Sequence, residues 1–190
     1  MTAQIHDIVV WRNHDHMLVG VEGTGLFDPF DHGLYTQATT TANWRGWVAR
    51  YAISEDRLIL VDLHDVGLSA EHLDTPPSLQ GVSPQLSDRG SYTYAGLNWP
   101  IAFSGRLLLA RGFIRSLYRH MGFHPAWKFE ESWEVDLDRG RVMNARELTE
   151  EMRKLRHQIQ AGEAADPDSD ARPGWIERTF KLDFRRSKGG

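Results

Sequence analysis

Apolar and polar side chains alternate most cleanly over residues 127–137. Trp127, Phe129, Glu131, Trp133, Val135 and Leu137 fall on one face, with Lys128, Glu130, Ser132, Glu134 and Asp136 on the other. A period of two marks a strand with one buried side, so the stretch predicts a half-buried strand whose apolar face carries one carboxylate, Glu131. The same alternation in Trp47, Ala49, Tyr51 and Ile53 precedes polar Ser54, Glu55, Asp56 and Arg57 and the apolar run 58–61, which predicts a hairpin over 44–63. It is the densest aromatic patch of the chain, and buried aromatics dominate core energetics, so this hairpin is expected at the centre of the core.

Around these elements, apolar runs at 5–10 and 17–21 predict a first hairpin turning through 11–16, which puts His14, Asp15 and His16 in a solvated loop. Residues 22–43 read as a loop pinned by Phe27, Phe30 and Tyr35. Residues 64–100, with Pro76, Pro77 and Pro84, read as an irregular connection of the length that is usually functional or disordered. A strand is expected within 101–113. Arg111, Arg115 and Arg119 then recur every four residues, the spacing of one side of a short helix or helical turn whose length Gly112 and Gly122 limit, with Phe113, Leu117 and Met121 on another side. Asn144 followed by Glu147 resembles a capping box, and Leu148, Met152, Leu155 and Ile159 keep a helical stripe, so a helix is expected over 145–161, with Glu150 and Lys154 as an i,i+4 pair.

Residues 163–174 are acidic and carry prolines, as a solvated linker does. In 175–190, Ile176, Phe180, Leu182 and Phe184 predict a last strand or a tail that pairs with a partner. The elements add up to one α+β domain over 1–162. Its β-rich antiparallel sheet is curled, sandwich-like or barrel-like, with one C-terminal helix packed on it and an extended C-terminal segment.

Composition narrows the function. The 190 residues are 41% hydrophobic and 25% charged, as in globular proteins. No cysteine is present, which excludes disulfides, thiolate metal sites and cysteine nucleophiles. A formal net charge of −4 argues against general attraction to nucleic acid. With no membrane-length apolar run and no basic-then-apolar start, the expected location is cytoplasmic, without a membrane role.

Trp44-Arg-Gly-Trp-Val-Ala, Phe103-Ser-Gly-Arg-Leu, His120-Met-Gly-Phe and Asp138-Arg-Gly-Arg-Val together resemble a group of uncharacterised bacterial proteins over about residues 40–143. The resemblance implies a bacterial origin and a β-rich architecture, and it carries no activity or catalytic residue across.

Three constellations could carry chemistry. His120 and His124 are four apart, and with Asp62 and His64 they form a candidate metal set for a His/Asp hydrolase, although Gly122 and Pro125 interrupt the helix such a pair would need. Glu131 on its apolar face must be paired or protonated, with Arg45, Arg50, Arg106 or Arg111 as partners, and a structural ion pair outweighs a catalytic acid. Arg111, Arg115 and Arg119 with Phe113 and Tyr118 would suit RNA or an acidic protein. There is no Gly-x-Ser-x-Gly elbow, Walker loop or dinucleotide fingerprint. The balance favours a non-enzymatic cytoplasmic binding protein without cofactor, of the immunity type or another conflict-system component, that meets a protein partner or a second copy of itself through the C-terminal segment.

Overall fold

Hairpins form in this chain where polar residues accept left-handed backbone. In a computed structural model, which describes residues 2–72 and 74–166, β1 (Ile8–Trp11) passes into β2 (His14–Thr24) through Arg12 and Asn13, at φ 51° and 63°. Glu55 and Asp56, at 49° and 57°, join β3 (Val48–Ser54) to β4 (Arg57–Val66) in the same way. Two central residues at positive φ make a turn whose twist matches that of the flanking strands, so both hairpins leave their turns in register. The first turn is tighter than expected. His14, Asp15 and His16 therefore belong to a paired strand, with Trp11 opposite His14 and Val9 opposite His16, rather than to a solvated loop.

The connection after β4 is irregular, as expected, apart from three short strands: β5 (Gln85–Leu86), β6 (Tyr92–Tyr94) and β7 (Trp99–Pro100). The chain then enters β8 (Ser104–Phe113), β9 (Phe129–Asp138) and β10 (Arg141–Glu147). The ten-stranded sheet runs β10-β9-β8-β2-β1-β3-β4-β6-β5, with β7 also on β4. Its β1–β3 pairing is parallel, so the expected antiparallel sheet is a mixed one. The outer edge of β4 is shared in succession by β10 at Arg57, β7 at Ile59 and Leu60, and β6 at Leu63 and Val66, and the contact with β10 curls the sheet back on itself.

Side chains fill the interior of that ring. Val9, Trp11, Leu18, Tyr51, Leu60, Leu107, Leu109 and Val135 form its centre, with Trp47 and Phe27 towards one side and Trp133 partly covered. Where β2 and β8 lie closest, Gly23 and Gly105 face each other at φ 145°, and a Cβ on either would come within 2.1–2.3 Å of a carbonyl oxygen across the pair. Only glycine fits both positions.

A smaller cluster on the outside, Val19, Leu108, Ala110, Phe129 and Leu148, is covered by α1 (Thr149–Gln160). The Leu148, Met152, Leu155 and Ile159 stripe is the helix's least exposed side, and Arg156 clamps the helix to the sheet by donating to the Trp127 and Phe129 carbonyls at 2.8 and 2.9 Å. The helix starts later than the capping pattern suggests. Asn144 and Glu147 pair with Asp136 and Trp133 inside β10, no side chain caps the helix, and Glu150 pairs with Arg153 rather than Lys154. Of the short helix or helical turn expected through Arg111, Arg115 and Arg119, only a turn forms, and it does not include Arg111. Arg111 lies in β8, which stays paired to β9 as far as Phe113, and only the short 3-10 turn Arg115–Leu117 follows. Strand pairing with β9 supplies more hydrogen bonds than an isolated helical turn could, and it overrides the spacing of four.

No helix among the described residues is long and apolar enough to cross a membrane. The segment 175–190 and most of the linker lie outside the described residues, so the expected last strand and its pairing are not among the elements above.

Candidate functional site

Glu131 faces Arg111 across β8 and β9, and this register builds the site. Arg111 Nε and Nη2 both lie 2.6 Å from Glu131 Oε2, while Oε1 accepts the indole N–H of Trp133 at 2.8 Å. Of the arginines weighed as its partner, Arg111 takes the role. Arg45 holds Asp7, Arg50 holds Asp15, and Arg106 holds Glu22 at 2.5 Å. Glu131 is not fully buried: about a quarter of its side chain, 27%, is exposed at the rim of a groove. The Arg111 hydrogen bond, aided by Trp133 and opposed by partial burial, lowers its pKa to about 2. Such a carboxylate stays ionised at neutral pH and is too weak a base for proton abstraction.

Behind the carboxylate lies His16. It is buried, its Nδ1 sits 3.1 Å from the His14 carbonyl, and its Nε2 makes no hydrogen bond among the described residues while lying 3.7 Å from Glu131 Oε1. Burial lowers its pKa, which favours the neutral ring. Trp11 and Trp133 meet edge to face at 5.1 Å beside it, and the Arg12 guanidinium lies 4.3 Å from the centre of each indole. Stacking of this kind holds a guanidinium without a carboxylate.

The groove in front measures about 520 Å³ and draws on five elements: His14 and Asp15 from β2, Arg111 and Gly112 from β8, Glu130 and Glu131 from β9, Glu147 from β10 and Thr149 from α1. Its carboxylates, Asp15, Glu130, Glu131 and Glu147, face the single lining guanidinium of Arg111, while Arg50 reaches Asp15 from outside at 2.8 and 3.1 Å. The surplus is negative and open to water.

The other expected sets come apart. Asp62 and His64 pair with each other on β4 at 3.6 Å, and Asp62 also accepts the Gly96 N–H. His120 and His124 instead surround Tyr118, at 5.0 and 5.3 Å between ring centres. Among the described residues no group of three or more His, Asp or Glu has metal-binding geometry, so the four do not form one set. Phe113 stacks on His124 at 4.6 Å, turned inward rather than presented beside the arginines, and Arg119 pairs with Asp166 at 2.5 Å. Arg111 and Arg119 are thus each engaged by a carboxylate, and Arg111 belongs to a strand rather than to one helical side with Arg115 and Arg119.

Two buried groups escaped the sequence reading. Asp7 accepts both arms of Arg45 at 2.8 and 3.0 Å and the Ala49 N–H at 2.8 Å, and Arg45 in turn lies 4.4 Å from the Trp47 ring centre. His6 places Nδ1 3.0 Å from the Leu18 carbonyl and accepts the His124 N–H on Nε2 at 3.1 Å. Burial lowers the pKa of both His6 and His124 to about 4. A carboxylate inside the apolar run 5–10 is the same signal that singled out Glu131, and it could have found Asp7. Compared with protein-family models, curated proteins and solved structures, the chain matches none of them.

Proposed function

We propose that the chain is a cytoplasmic, non-enzymatic binding protein whose groove at Glu131 receives cationic side chains of a protein partner. The observation that carries this reading is the surplus of carboxylates in that groove, Asp15, Glu130, Glu131 and Glu147 against Arg111 and the Arg50 that holds Asp15 from outside. A lysine or arginine entering it meets several acceptors at once and keeps partial hydration, the condition under which charge complementarity sets partner choice and encounter rate. The protonation states argue in the same direction. Glu131 is held ionised and burial favours the neutral ring of His16, so these two do not make a general acid and base poised near neutral pH. Against the hydrolase alternative, Asp62, His64, His120 and His124 do not form one group among the described residues, and against the RNA alternative, Arg111 and Arg119 already hold carboxylates.

Calorimetric titration with lysine-rich and glutamate-rich peptides of equal length tests the proposal. The cationic peptide should bind, more weakly at high salt, and Glu130→Gln with Glu147→Gln should weaken it by about tenfold, as expected when charge-assisted contacts are lost. Preference for the acidic peptide, or equal binding by the variant, would overturn it.

A further inference from the structure

The contact that closes the ring sets two arginines against each other. Arg57, the first residue of β4, and Arg141, the first of β10, are direct antiparallel partners. The flanking backbone bonds run from Leu58 N–H to the Gly140 carbonyl and from Val142 N–H to the Asp56 carbonyl, both at 2.8 Å. That pattern makes Arg57 and Arg141 a non-hydrogen-bonded pair, the arrangement that brings facing Cα atoms to about 4.5 Å and their side chains closest together. Like charges placed so are destabilising. Neither guanidinium makes an ion pair or hydrogen bond with the other described residues, and both are exposed.

A third guanidinium joins them. Arg57, Arg139 and Arg141, with Asp138 and Met143, line a concavity of about 440 Å³. Asp138 offsets one of the three: its carboxylate lies 3.7 Å from Arg139 Nε and also accepts the Ser104 hydroxyl at 3.2 Å, which leaves Arg57 and Arg141 without a counter-charge among the lining residues. The backbone beneath is clamped: Arg139 N–H donates to Ser104 Oγ at 2.8 Å and Gly140 N–H to the Phe103 carbonyl at 2.7 Å. Gly140 sits so close to Ile101 that a Cβ would meet its carbonyl oxygen at 2.1 Å. The guanidiniums therefore project from a rigid stretch of backbone around one concavity.

We propose that this seam is a binding site for a phosphoryl-type oxyanion. Three planar forks offer more donors than a single carboxylate can accept, whereas a tetrahedral oxyanion bearing two or more charges presents an edge to each and relieves the repulsion between Arg57 and Arg141. The site is separate from the acidic groove, and its ligand has the opposite charge.

The test uses the full chain with inorganic pyrophosphate as probe, acetate at matched ionic strength as comparator, and Arg57→Gln, Arg141→Gln and, as a control, Arg115→Gln. Pyrophosphate should bind and raise the melting temperature of the wild type and of Arg115→Gln. Either seam variant should weaken binding about tenfold, the loss of one charge-assisted contact. Without ligand, Arg57→Gln should melt no lower than the wild type, since it removes a repulsion rather than a bond. Acetate should do nothing. Pyrophosphate binding that is undetectable, that survives in the seam variants or that acetate reproduces would overturn the proposal, and so would a lower melting temperature for ligand-free Arg57→Gln.

Discussion

Arg111 and Glu131 stand opposite each other on neighbouring strands, with guanidinium and carboxylate 2.6 Å apart, in front of a buried histidine whose Nε2 has no hydrogen bond among the described residues. Because the folded state lowers the Glu131 pKa from 4.5 to about 2, the carboxylate contributes stability above pH 4.5 that is lost as the pH falls towards 2. Solvent screens the pair, so Glu131→Gln should cost only about 1 kcal/mol at pH 7. Urea titrations at pH 7, 4 and 3 should show the wild type losing that margin while the variant keeps a flatter profile. Parallel profiles would refute the assignment.

His6 and His124 act at higher pH. Their pKa values fall from 6.5 to about 4 on folding, so the unfolded chain binds protons that the folded one refuses. Stability is therefore complete above pH 6.5 and declines as the pH drops towards 4, by up to about 1.4 kcal/mol per pH unit for each histidine. Both ring nitrogens of His124 lack hydrogen-bond partners among the described residues and the ring stacks on Phe113, so His124→Phe should be tolerated at pH 7 and should remove roughly half of that slope. Denaturant midpoints between pH 7.5 and 4.5 would measure it.

Asp7 is almost wholly enclosed, with its carboxylate shared between Arg45 and the Ala49 N–H. Asp7→Ala strands that guanidinium and that amide together, and should destabilise the domain by about 3 kcal/mol, the lower end for breaking a buried pair, because Arg45 keeps some access to water. A loss below 1 kcal/mol in equilibrium unfolding would contradict the burial of this pair.

Tyr51 provides a contrast. Its hydroxyl is fully buried and makes no hydrogen bond among the described residues. An unsatisfied buried hydroxyl costs energy, so Tyr51→Phe should leave stability unchanged or raise it by about 1 kcal/mol, where a bonded tyrosine would lose that much. Thermal unfolding of the two proteins side by side distinguishes these outcomes.

What could be read from the sequence was what is local. The strand at 129–138 and the hairpin through Tyr51 were legible from their alternation, but the expected solvent face of that strand is not solvent: Lys128, Ser132 and Glu134 are buried, while Glu131 and Trp133 on the other face are only partly covered. The α1 stripe was legible from its spacing, but its start was not: Asn144 and Glu147 have the chemistry of a cap and are held by β9 instead. The groove was illegible because its parts come from β2, β8, β9, β10 and α1, and only the strand order brings Asp15 towards Glu131. Glu131 was recognisable as a carboxylate needing a cation. That Arg111 would supply it, rather than Arg45 or Arg50, depended on a register that no short stretch encodes.

The parallel contact of β1 with β3 has a consequence for how the chain reaches this form. Each of the tight hairpins can close on its own within about 1–10 μs. Val9 can lie beside Tyr51 only after β2 and the whole crossover that follows it have been threaded into place, and the contact between Arg57 and Arg141 then joins still more distant parts of the chain. Such non-local pairings repay their loop entropy late, so assembly should be governed by topology, with folding on the order of milliseconds to seconds rather than the pace of its turns.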